Sequence, residues 1–192
     1  MAVLRSWIGR ADRTLIAPGA APVERLLGYG AAVFGAVFAG ALAVAEALPA
    51  LPAIILVVVG FDLFGGAVVN ATPSGSRRFH ASGPPRWSAL GFVAAHIHTL
   101  ILAIVLPGMP WATAIAAYAG TVLAAVFVLL APDAFRQPVA FASAVTVLAV
   151  CTAVLPPSAV MAWVVPLLVI KLLLSHLLPH PAHSAFEVRA NP

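Results

Sequence analysis

"LPAIILVVVGFDLFGGAVVNA", residues 51–71, holds one charged side chain in twenty-one residues. A bilayer core takes about 20 predominantly apolar residues of helix, so the run has the length of a membrane span. Asp62 stands near its middle, followed by Gly65, Gly66 and Asn70. An unpaired carboxylate at that depth costs at least about 2.5 kcal/mol. The run therefore implies a helix in lipid and a partner for Asp62.

The rest of the chain agrees. Of its 192 residues 62% are hydrophobic and 8% charged, against about 25% charged in soluble domains. The expected fold is all-α, a polytopic six-helix transmembrane bundle. The predicted spans are residues 26–48, 51–71, 88–106, 111–131, 139–155 and 158–178. Prolines collect at the joints, as expected of a residue that lacks an N–H and breaks helix interiors. Pro166 is the exception and is expected to kink the sixth helix. Residues 1–20 are expected to form an amphipathic segment, 21–183 the transmembrane domain and 184–192 a short tail. Within the first segment Leu4, Trp7, Ile8, Ala11 and Leu15 share an arc of about 100°, with Arg5, Arg10, Asp12 and Arg13 outside it. Such a helix would lie on the membrane surface.

Six spans put all nine arginines on one side: Arg5, Arg10, Arg13, Arg25, Arg77, Arg78, Arg86, Arg136 and Arg189. The positive-inside rule makes that side cytoplasmic. The expectation is a multi-pass protein of the plasma (inner) membrane with both termini in the cytoplasm. The formal charge of +4 is thus an orientation signal and does not point to nucleic acid. Trp87, Trp111 and Trp163 fall near expected interfaces, as an aromatic belt requires. Cys151 is the single cysteine, which excludes an internal disulfide and a Cys-based metal cluster. Ala32, Ala36 and Gly40, with Ala31 and Gly35 beside them, form a small-residue stripe. It would serve close helix packing, within one subunit or in a homo-oligomer.

Counted from the arginine-bearing end, Asp62 is about nine residues deep, His96 and His98 about eight and ten, and Lys171 about seven. Asn70 and His176 lie nearer that surface, with His80, His180 and His183 beyond it. Intramembrane ionisable groups mark functional sites by default. Asp62, His96 and Lys171 are the candidate catalytic residues, with Asp62 and His96 as an acid–base pair and Lys171 stabilising an anion. Asn70, His98 and His176 are candidate binding residues. His96, His98 and His80 are candidate ligands for a divalent transition metal. Two residues apart on a helix, His96 and His98 point about 160° away from each other, which opposes a shared metal. A structural ion pair of Asp62 with Lys171, or a Lys171 that reaches back to the headgroups, would account for the same residues without chemistry.

No motif names a reaction. The run "TPSGSRRFH", residues 72–80, resembles the membrane phosphatidate phosphatases in its Pro-Ser-Gly. Ser76 stands where a histidine is needed, and the upstream Lys…Arg-Pro element is missing, so that activity is not carried over. Three function classes remain. One is an enzyme acting on a lipid-like or apolar substrate, with its site in the cytoplasmic half of the bilayer. The others are a small proton- or cation-coupled transporter or channel, and an accessory membrane subunit. The lipid bilayer is the expected partner in each.

Overall fold

The computed structural model describes residues 15–80 and 86–179. Among these residues no strand occurs, and six helices are long and apolar enough to cross a membrane. The chain is an all-α polytopic bundle. Residues 1–14 of the amphipathic segment expected over 1–20, His180, His183 and the tail lie outside the described residues.

Helix α1 (Pro22–Ala45) starts and ends earlier than predicted, for local reasons at both ends. Pro22 suits a first turn, where its missing N–H costs nothing. Glu24 reaches back to accept the Ala21 N–H at 2.6 Å. At the far end Leu48 N–H reaches the Ala43 carbonyl at 2.9 Å and Ala47 N–H the Val44 carbonyl at 3.0 Å. That pairing closes the helix through a left-handed residue, here Ala47 at φ 47°.

Helix α2 (Ala50–Ala71) returns against α1. The buried row of α1 is Gly28, Ala32, Gly35, Ala39 and Ala43. Ala32 and Gly35 of the expected stripe lie in this row, while Ala36 and Gly40 are half-buried beside it. A Cβ on Gly35 would overlap the Gly60 carbonyl, and one on Gly65 would overlap Ala32. Glycine at these positions lets two backbones touch, which is how helices associate in lipid. The small residues thus serve a contact inside one subunit.

A short helix, α3 (Pro73–His80), occupies what was expected to be a loop. The third span is broken into α4 (Arg86–Ala94) and α5 (His98–Val105), where one continuous helix was predicted. Helix α6 (Trp111–Leu130) is close to expectation. The fifth span runs from Asp133 to Val154, starting ahead of its predicted residue 139. A 3₁₀ turn leads into α7 (Arg136–Ala149), and Val150–Val154 continues as a π turn. Pro138 sits in the first turn of α7, which a proline tolerates.

The sixth span also differs. Its pieces are a 3₁₀ turn (Ala159–Met161), α8 (Val164–Val169) and a π segment (Ile170–His176). Pro166 lies in the first turn of α8. The irregularity falls at Ala162 and Trp163, one turn earlier, where a helical carbonyl would meet the proline ring. Leu56, Leu63, Leu102, Val128 and Leu168 form the fully buried centre. Trp87 and Trp111 are 74% and 52% exposed. Trp163 instead packs against Phe38 and Phe64, at ring-centroid distances of 5.7 and 5.9 Å.

Candidate functional site

The partner that Asp62 requires is Lys171. Its Nζ donates to Asp62 Oδ2 at 2.5 Å. The lysine side chain is 3% exposed and the carboxylate 40%, so Lys171 does not reach back to the headgroups. Its stem crosses α2 over Gly66, where an added Cβ would overlap the terminal side-chain carbon. The two adjacent glycines therefore do different work. Gly65 admits α1, and Gly66 admits the lysine.

Asp62 Oδ2 also accepts from His98 Nε2, at 3.1 Å. The imidazole beside the carboxylate is thus His98, where the sequence favoured His96. The break in the third span is the cause. His96 N–H bonds to the Val93 carbonyl at 3.1 Å, and Ile97 N–H to the Ala95 carbonyl at 3.0 Å. Both bonds are tighter than α-helical ones, and they free carbonyls that lipid cannot satisfy. Side chains take them up. His96 Nδ1 binds the Phe92 carbonyl at 2.6 Å, and the Tyr118 hydroxyl donates to the Ala94 carbonyl at 2.9 Å. The same break swings the two histidines together, with ring centroids 5.3 Å apart, where a continuous helix would have opposed them.

His176, five residues after Lys171 and so one π turn on, extends the cluster. Turns of this kind occur frequently at functional sites. Its ring is 1% exposed. It stacks on Phe92 at 4.1 Å and meets Phe79 edge-on at 4.6 Å. Neither ring nitrogen satisfies hydrogen-bond geometry among the described residues, although the Ala89 backbone lies beside it. Asn70 is buried, and its Nδ2 has no partner there either. His80 pairs its Nδ1 with the Ser76 carbonyl at 3.1 Å. The structure does not gather His80, His96 and His98 around a point. Among the described residues no three His, Cys, Asp or Glu side chains are grouped to hold a metal ion.

One carboxylate escaped the sequence reading. Glu24 is 7% exposed and joins α1 to α3. It accepts the Ser74 N–H at 2.8 Å and the Ser74 hydroxyl at 2.7 Å. Arg77 in turn donates to the Ser74 hydroxyl at 2.6 Å. A glutamate three residues into an apolar run is a helix-start signal. Its partner fifty residues away is not visible in the sequence.

The exposed side of Asp62 opens on a small groove. Ile16, Tyr29, Ala32, Phe61 and Val69 line it beside the carboxylate. Phe61 therefore flanks the site, whereas Phe64 joins the aromatic cluster with Phe34 and Phe38. Asp62, Lys171, His98 and His96 come together, His176 adjoins them through Phe92, and neither Asn70 nor His80 bonds to Asp62. Comparison with protein-family models, with curated proteins and with solved structures finds no match for this chain.

Proposed function

We propose that this multi-pass membrane protein is an enzyme acting on a lipid-like substrate at Asp62, His98 and Lys171. Its arginine-bearing end and both termini face the cytoplasm, in the plasma (inner) membrane. The observation that carries the reading is the asymmetry around Asp62. Its cationic partner is sealed in the protein, while the carboxylate is 40% exposed on an apolar groove between the first two spans. A substrate with an apolar body and a small polar group would enter sideways from the bilayer. The bond from Nε2 to Asp62 assigns that nitrogen the proton, which leaves Nδ1 as the basic atom of His98. That atom is buried without a partner among the described residues. Asp62 orients the imidazole and stabilises its protonated form, while Lys171 holds the carboxylate ionised and in place.

The test is photo-crosslinking with diazirine-bearing diacylglycerol and phospholipid probes in liposomes. Labelling should concentrate on the peptides that contain Tyr29 and Phe61, and Leu15→Trp, which fills the groove mouth, should reduce it at least threefold. Labelling spread evenly over the exposed helices would overturn lateral entry.

The broken third span favours a second reading, a proton- or cation-coupled transporter. Discontinuous helices commonly build such sites. Away from the arginine-bearing end, however, the buried polar groups include Thr99 and Thr113, both tied to carbonyls of neighbouring segments. Proton flux into liposomes driven by a pH gradient, lost in Asp62→Asn, would favour transport over enzymatic chemistry.

A further inference from the structure

We propose that His80, His176, His96 and His98 form a proton route between the arginine-bearing surface and Asp62, with Phe92 as its gate. The proposal deepens the acid–base reading above and rests on it for its end point. These four are all the histidines among the described residues, and they come from three separate segments. His98 contacts Asp62 at 3.1 Å, and His96 lies 5.3 Å from His98 between ring centroids. Phe92 touches His96 at 4.5 Å on one side and His176 at 4.1 Å on the other. His80 ends α3, is half-buried, and follows Phe79, whose ring meets His176 at 4.6 Å.

The unusual member is His176. Buried between two phenylalanine rings, an imidazole packs no better than a third phenyl ring would, and it adds two polar atoms that need partners. What it supplies is a ring that can accept a proton at one nitrogen and release another from the second. The π turn brings His176 and Lys171 to the same side of the sixth span. The charged groups facing the route are Lys171 and Asp62 at its inner end, with Arg77 and Arg78 exposed on α3. In one transfer His176 takes a proton from the His80 side and passes its other proton toward His96. The Phe92 carbonyl holds the Nδ1 proton of His96, so Nε2 is the atom that accepts. His96 then releases that proton from Nε2 to the unpartnered Nδ1 of His98, directly or through one water, and His98 yields its Nε2 proton to Asp62. No covalent bond changes except N–H and the O–H formed on Asp62, and each imidazole ends neutral once its proton has moved on. The Phe92 ring contacts both His176 and His96, so its rotation opens or closes the link.

The test uses full-length protein with ¹⁵N-labelled histidine in lipid nanodiscs, where lipid covers the groove. Solvent exchange of the His98 ring proton is followed by NMR, the signal being identified by its loss in His98→Gln. His176→Phe keeps the ring stack and removes the nitrogens. It should slow exchange at His98 at least tenfold and leave the remaining spectrum unchanged. Equal rates in the two proteins overturn the route. If His176→Phe does not fold, His176→Gln replaces it with the same criterion. His176→Gly should regain exchange when free imidazole is added, a rescue that repacking alone would not produce. The readout needs no substrate, so the crosslinking result and this one can fail separately.

Discussion

Lys171 lies across Gly66, in the space that any side chain at that position would occupy. The ion pair with Asp62 thus depends on a hydrogen atom where every other residue has a carbon. Gly66→Ala should displace the ammonium and destabilise the protein by about 1–3 kcal/mol, the usual cost of overpacking. Gly30 and Gly91 meet nothing within 4 Å of an added Cβ. Alanine at either should be neutral or stabilising by up to about 1 kcal/mol, from helix propensity. Unfolding in mixed detergent, compared across the three variants, checks the contrast.

Breaking the pair from one side should be worse than removing it. Lys171→Met leaves Asp62 without its counter-charge and is expected to cost about 3 kcal/mol, the low end for buried pairs because the carboxylate is half-exposed. Adding Asp62→Asn should recover at least half of that loss. A double variant as unstable as the sum of the singles would contradict a direct pair.

Glu24 gathers three hydrogen bonds at the start of α1. Glu24→Ala should cost about 2–3 kcal/mol, since hydrogen bonds to charged groups are the stronger kind. Ser74→Ala should cost about 1 kcal/mol, and a double-mutant cycle should return coupling of about 1 kcal/mol. Additive effects would mean that the α1–α3 link carries no energy.

Ala47 closes α1 in the left-handed region, where an L side chain is strained by about 1–2 kcal/mol. Ala47→Gly should therefore stabilise by about 0.5–1 kcal/mol after its added chain entropy is counted. A loss of stability in the same unfolding assay would contradict the closure described.

The spans were legible in the sequence because lipid imposes length and apolarity on each helix separately, and those properties add along the chain. The need of Asp62 for a partner was legible for the same reason, and with a single lysine in the chain Lys171 was the natural choice. The glycine pair was legible as a place of close approach. What the sequence did not contain was the assignment of neighbours. A helical wheel set His96 and His98 on opposite faces, because the wheel assumes an unbroken ladder of hydrogen bonds. The break at residues 95–97 carries neither glycine nor proline, and it is supported by Tyr118 from another helix. Glu24 passed unread in the sequence, because the docking of α3 makes it a buried hub. Depth in the membrane is a local quantity that one residue at a time can report. Which imidazole meets the carboxylate depends on how separate helices pack and where their backbones give way, and that was decided only in three dimensions.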